Sequence, residues 1–223
     1  MKTEVAMVRV LRNYFEALNF VTVQEFGVGY GIADLVAYQL SYKNCQKRIA
    51  NNQKKPLSKV QYFQILAALP DIEKSKTISL EDLNCKLPFS KDRLNYFWLE
   101  SLKKLGYVTK ISKNSYTKIN GFIPITNEII AVEAKLTDWK KGAIQAKRYK
   151  VFANRVYLAT EEKVAHRIDQ KLLSKHGIGL LLVSDNRVQE ILPAPRTGPR
   201  DQLRYHLAGE EAWKVYYRKQ KRG

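Results

Sequence analysis

Ionisable residues interrupt otherwise apolar stretches at two places in this sequence. Glu133 and Lys135 lie within Ile129-Ile130-Ala131-Val132-Glu133-Ala134-Lys135-Leu136, and Asp34 lies within Ile32-Ala33-Asp34-Leu35-Val36-Ala37. Both stretches are rich in β-branched and apolar residues, the composition of strands. Side chains alternate faces along a strand, so Glu133 and Lys135 share one face while Val132, Ala134 and Leu136 pack on the other. Burying unpaired charge is costly, and charges so placed need a reason. If the two strands pair, Asp34, Glu133 and Lys135 meet. Two carboxylates with a backbone carbonyl, for which Ala134 is placed, make a hard oxygen set suited to Mg²⁺ or Mn²⁺. Such an ion polarises a phosphate ester and acidifies a bound water, and a neighbouring lysine orients that water or stabilises developing negative charge. The competing reading is an exposed edge-strand ion pair of little energetic weight, with Asp34 capping a turn.

The elements needed to position these residues are legible around them. Val5, Val8, Leu11, Phe15 and Leu18 recur at helical spacing over residues 3–18. Val21–Phe26 reads as a strand. Gly27, Gly29 and Gly31 form a flexible turn, and Ile32–Tyr38 reads as the returning strand of an antiparallel hairpin. After residue 125 the pattern is α/β: strand Ile129–Leu136, helix Asp138–Phe152 capped by Thr137 or Asp138, strand Val156–Ala159, helix Glu161–Leu173, strand Gly179–Val183 and edge strand Val188–Leu192. Strands alternating with helices imply parallel pairing, so with the hairpin the sheet is mixed. Pro193, Pro195 and Pro199 close this region. The tail carries Trp213, Tyr216 and Tyr217 among Lys214, Arg218, Lys219, Lys221 and Arg222, as a docking helix ending in a basic arm would.

At this point the chain resembles the PD-(D/E)xK, or restriction-endonuclease-like, nuclease superfamily. Asp34 followed by Glu133-Ala134-Lys135 is similar to that family's D…ExK signature. The next helix carries Gln145 and Tyr149, one turn apart on a shared face, as in many members. An acidic residue on the first helix is common there and Glu16 occupies that place; Glu25 in the first strand is a second candidate. The resemblance implies an α/β fold, a mixed sheet flanked by helices. It also implies a catalytic set of Asp34, Glu133, Lys135, Gln145, Glu16 and Tyr149, with Asp34, Glu133 and Ala134 as ligands of Mg²⁺ or Mn²⁺. One departure is the long stretch between the Asp strand and the ExK strand.

Within that stretch, Lys43–Lys55 is basic, rich in Asn and Gln and without a period, as in a linker. Residues 57–119 then show their own pattern. Val60–Leu69 is helical, with Val60, Phe63, Leu66 and Ala67 on one face. Ser79 caps a short helix through Leu83. Ser90 caps a third helix with the stripe Leu94, Trp98, Leu102 and Leu105, stopped at Gly106. Two strands joined by Ser112-Lys113-Asn114-Ser115 complete it. Three helices followed by a hairpin resembles a winged helix, whose third helix enters the major groove. Lys91, Arg93, Lys103 and Lys104 on that helix, Lys110, Lys113 and Lys118 on the hairpin, and Arg148 on the helix that follows the ExK strand suit phosphate contacts; the bland reading is a solvated face. The division expected is a discontinuous nuclease-like core over 1–42 and 120–193, a winged-helix-like insert over 56–119, and a basic tail over 194–223.

Bulk composition points the same way. There are 39 Lys and Arg against 21 Asp and Glu, a net +18. A surface so basic attracts a polyanion and gains affinity by releasing counterions. Cys45 and Cys85 stand far apart without a Cys/His cluster, which argues against structural zinc. No apolar run spans a membrane and no secretory pattern opens the chain, so an intracellular, cytoplasmic location is expected. Trp139 either stacks on a base or packs on the sheet. The function expected is a metal-dependent DNA endonuclease or DNA-processing nuclease. The alternatives are a non-catalytic DNA-binding regulator or assembly protein, and an enzyme acting on RNA. A homodimer and a larger DNA-processing complex are arrangements the sequence leaves open.

Overall fold

The computed structural model describes residues 3–29, 31–70, 77–119 and 122–220. Lys221 and Arg222 of the expected basic arm, and the expected boundary at residue 120, lie outside these. Two compact units emerge: residues up to Leu40 with Thr126–Tyr216, and Ser41–Ile125 with the end of the chain from Tyr217.

Helix α1 (Glu4–Ala17) starts at Thr3, whose hydroxyl accepts from the Ala6 N–H at 3.1 Å. It buries Met7, Val8, Leu11 and Phe15. Val5 in the first turn and Leu18 at the C-cap, both expected on that stripe, are exposed. Strands β1 (Val21–Phe26) and β2 (Ala33–Leu40) pair antiparallel across the glycine turn. A Cβ on Gly27 would fall 2.1 Å from the Gly31 carbonyl oxygen, and Gly29 and Gly31 have φ of +97° and +118°. Glycine is what lets the chain reverse there.

The second unit departs from its expected linker. Residues Tyr42–Ala50 form helix α2, which buries Cys45 and Arg48. Arg48 is fully buried; it donates to the Tyr107 hydroxyl and lies 5.8 Å from the Tyr107 and Phe122 ring centroids. The apparent lack of period came from an arginine doing the inward packing of an apolar residue. Helix α3 (Val60–Ala68) buries Tyr62, Phe63, Ile65 and Leu66, leaving Ala67 exposed. Strand β3 (Ile78–Ser79) leads into α4 (Leu80–Cys85), where the Ser79 hydroxyl accepts from the Asp82 N–H at 3.0 Å. The third helix runs as a π-helical stretch over Arg93–Leu99 and continues as α5 (Glu100–Lys104). Gly106, at φ +78°, ends it. Strands β4 (Val108–Ser112) and β5 (Ser115–Lys118) form the hairpin, and β3 adds to β5, giving the order β3-β5-β4.

Back in the first unit, β6 (Thr126–Lys135) pairs antiparallel with β2. Helix α6 (Trp139–Tyr149) follows, capped by Asp138, which accepts from the Lys141 N–H. Strand β7 (Arg155–Glu161) is parallel to β6, and β8 (Gly179–Val183) is parallel to β7. Between them the expected single helix is broken. A 3₁₀ segment, Glu162–Arg167, ends at buried, extended Ile168, and Asp169 caps a new helix α7 (Gln170–Lys175). Antiparallel β9 (Val188–Leu192) is the edge. The sheet is six-stranded and mixed, ordered β1-β2-β6-β7-β8-β9. One face carries α1 on a core of Leu35, Ala37, Val132, Ala134, Ala159 and Leu181. Helix α6 lies against β6 and β7 on the other. Residues read as tail form α8 (Gln202–Gln220), where Tyr205, Ala208, Ala212 and Trp213 are buried.

Candidate functional site

Residues 41–125 separate β2 from β6, yet Leu35 pairs with Val132, which sets Asp34 across from Glu133 at the next step. The period-two alternation then does what the sequence predicts: Val132 and Ala134 enter the α1-side core, and Glu133 and Lys135 turn to the other face. Lys135 Nζ donates to Glu133 Oε1 at 2.8 Å and to the Ala134 carbonyl at 3.1 Å, and lies 3.9 Å from Asp34 Oδ2. The Ala134 N–H donates to Asp34 Oδ2 at 2.7 Å. Glu133 is 1% exposed, Lys135 14% and Asp34 31%.

Two residues from the following helix complete the packing. A Cβ on Gly142 would fall 2.6 Å from Leu158 Cδ1 and 2.8 Å from Lys135 Cγ, so the helix lies directly on the lysine stem. The Tyr149 hydroxyl is 2.5 Å from Glu133 Oε2 and 2.7 Å from the Ile32 carbonyl oxygen. Its single proton serves one acceptor at a time. When Glu133 is protonated, the carboxyl donates to Tyr149 and Tyr149 donates to Ile32, and both contacts are satisfied.

The electrostatics follow from this crowding. Burial, then the Asp34 charge, pushes the Glu133 pKa up against the opposing bonds from Lys135 and Tyr149. Burial also raises Asp34, opposed by the Ala134 N–H and Lys135, and helped by Glu4 and Glu25. For Lys135, burial works against the charge. Its bond to Glu133 and the fields of Glu133, Asp34 and Glu4 outweigh that and hold its pKa above the ordinary lysine value. Burial and the Glu133 carboxylate push Tyr149 well up.

The acidic residue that α1 brings here is Glu4, whereas Glu16 is the one the family resemblance implies. Glu4 Oε2 lies 3.7 Å from Lys135 Nζ, and its Oε1 accepts from the Leu136 N–H at 3.4 Å. Glu16 sits at the opposite end of the helix, about 18 Å along the axis. There it accepts from Arg12 at 2.8 Å and from the Thr22 hydroxyl at 2.7 Å. A glutamate in a first helical turn is ordinary, since it complements the helix dipole, so Glu4 carried no distinguishing signal. Gly142 did carry one: a mid-helix glycine costs about 1 kcal/mol and marks a close approach. Glu25 is exposed with φ +51° and lies opposite Asp34, because Gln24 pairs with Leu35 and Phe26 with Ala33. Gln145 is half-buried; its Oε1 is buried without a hydrogen-bond partner, and it makes no bond to Asp34, Glu133 or Lys135. Trp139 is buried on α6.

Three oxygens surround the Lys135 ammonium: Glu133 Oε1 at 2.8 Å, the Ala134 carbonyl at 3.1 Å and Asp34 Oδ2 at 3.9 Å. Among the described residues no group of three or more His, Cys, Asp and Glu side chains could hold a metal ion, so the side chains alone do not make up such a set.

The expected phosphate contacts divide. In the second unit Lys91 is tied to Glu81 at 2.6 Å and Lys103 to Glu100 at 3.5 Å. Lys118 donates to the Leu66 carbonyl, and Lys110 lies 5.8 Å from the Tyr116 ring centroid. Arg93, Lys104 and Lys113 are exposed there, as is Arg148 on α6 in the first unit. Among the described residues no helix is long and apolar enough to cross a membrane.

No protein-family model matches the chain, and no curated protein matches it. Among solved structures it is similar to the SPO1766 protein of unknown function from Silicibacter pomeroyi. The identity is 12%, over 99% of this chain and 90% of that one, with a TM-score of 0.48.

Proposed function

We propose that this chain is a divalent-metal-dependent nuclease of the PD-(D/E)xK type that hydrolyses phosphodiester bonds in DNA. The observation that carries the reading is the gathering of Asp34, Glu133 and the Ala134 carbonyl around the Lys135 ammonium, at 3.9, 2.8 and 3.1 Å. Asp34, Glu133 and the Ala134 carbonyl would hold Mg²⁺ or Mn²⁺. When bound, the ion supplies Lewis-acid activation of the phosphate and of the attacking water. Lys135 would present its ammonium to the charge that develops on the phosphate. Tyr149 holds the outer oxygen of Glu133 in place, and Gly142 lets α6 fix the lysine stem. The net charge of +18 supports a polyanionic substrate. In the second unit, three helices and a hairpin support a winged-helix-like DNA-binding module.

One observation favours the non-catalytic alternative. Lys135 already neutralises the carboxylates, so the fold needs no ion to stand, and a DNA-binding regulator or assembly protein could retain the site as structure. A cleavage assay on supercoiled, linear duplex and single-stranded DNA separates the two. Cleavage that needs Mg²⁺ or Mn²⁺, stops with EDTA and is lost in Glu133→Ala and Lys135→Ala supports the nuclease. Salt-sensitive binding with no cleavage of any substrate refutes it. A parallel RNA substrate tests for an enzyme acting on RNA, and the mass in solution tests for a homodimer.

A further inference from the structure

The second unit presents a surface whose chemistry the proposed hydrolysis does not use. On its third helix Tyr96 is 75% exposed and Phe97 44% exposed. Phe97 meets the buried Trp98 edge-on at 4.8 Å between ring centroids, which braces it. Lys59 Nζ is 5.3 Å from the Phe97 and Trp98 centroids, and the Arg93 guanidinium is 5.9 Å from the centroid of buried Trp98. Residues 41–125 carry 16 Lys and Arg against 6 Asp and Glu, so this segment holds +10 of the chain's +18. Such a surface selects a polyanion.

The exposed side chains then decide which form of polyanion fits. A helix reading a duplex groove places Arg, Lys, Asn or Gln at base edges. Here Lys91 and Lys103 are engaged by Glu81 and Glu100 and Arg93 lies over the Trp98 ring, and beside exposed Lys104 the outward positions hold two aromatic rings. Flat rings beside cations match bases that are free to stack, with the cations left for phosphates. We propose that Tyr96 and Phe97, the latter with Lys59 beside it, each offer a stacking platform for the unpaired nucleobases of a single strand. This shares a nucleic-acid partner with the nuclease reading but requires no cleavage.

The test is fluorescence anisotropy of the full chain in EDTA. The probes are labelled oligothymidylate and oligouridylate of about 20 nucleotides, a duplex of equal length, and an abasic strand with the same phosphates. The platform requires the thymidylate or uridylate strand to bind at least about tenfold more tightly than the abasic one. Tyr96→Leu and Phe97→Leu should each weaken that binding by about tenfold, leave abasic binding unchanged and preserve the circular dichroism spectrum. Tyr96→Phe should bind like the wild type, because stacking needs the ring and not the hydroxyl. Equal affinity for based and abasic strands, or leucine variants that bind like the wild type, overturns the proposal. So does duplex binding that is tighter and lost in the same variants, which would assign the helix to a groove. A wild type that binds no strand overturns both the platform and the nucleic-acid premise. Base-dependent binding without metal-dependent cleavage sinks the nuclease alone and supports the platform.

Discussion

Replacing Lys135 by alanine tests the electrostatic account of the site most directly. The substitution removes the cation 2.8 Å from Glu133, a carboxylate that is 1% exposed. Stripping one partner from a buried pair costs about 3–5 kcal/mol. Asp34 and Glu4 lie farther off, at 3.9 and 3.7 Å, and are more exposed, so their lost attraction adds little. Glu133 can relieve its isolation by taking a proton, and each pH unit of that relief is worth about 1.4 kcal/mol. Burial already raises its pKa, and losing the Lys135 bond raises it further. A carboxyl whose folded pKa is raised contributes stability fully present below its unfolded pKa and lost as pH rises through the folded one. The deficit should therefore be about 3 kcal/mol at pH 8, or roughly 6–12 °C in melting temperature, and shrink towards about 1 kcal/mol at pH 5. Thermal unfolding of wild type and variant at the two pH values measures it. Millimolar Mn²⁺ should narrow the deficit, because a bound cation would supply the positive charge that the lysine gave. A deficit below about 1 kcal/mol at pH 8, or one independent of pH, would refute the closed, mutually dependent cluster.

Three further outcomes are expected. Tyr149→Phe should cost about 1–2 kcal/mol in urea unfolding, by leaving buried Glu133 Oε2 without its donor. The Tyr149 bond holds the Glu133 pKa down, so the acid limb of the cleavage pH profile should also move to higher pH; an unmoved limb would detach Tyr149 from the site. Gly142→Ala should lower cleavage even though alanine favours helix by about 1 kcal/mol, because its Cβ displaces the Lys135 stem. Wild-type turnover in that variant would mean that the stem position is immaterial. Finally, Glu4→Gln should reduce cleavage and Glu16→Gln should leave it unchanged. The reverse pattern would restore Glu16 to the site and remove Glu4.

The sequence by itself determined the faces of the site strand and the hairpin beside it. Apolar runs broken at Glu133 and Lys135 set the alternation that points both side chains away from the α1 core, and the Gly27–Gly31 turn dictated the hairpin that carries Asp34. The caps at Ser79 and Asp138 were equally local, because a side-chain oxygen and an N–H three residues on need no distant partner. Tertiary structure alone decided which acids meet. Asp34 reaches Glu133 only because β2 pairs with β6 across residues 41–125, and pairing register is a long-range choice with no local signature. Helix α1 carries glutamates near both ends, and only the packing of its first turn beside Lys135 selects Glu4 over Glu16. The same physics hid α2: Arg48 reads as solvated charge until Tyr107 and Phe122, far along the chain, enclose it. Periodicity reports where a side chain points, and burial by distant residues decides what that direction means.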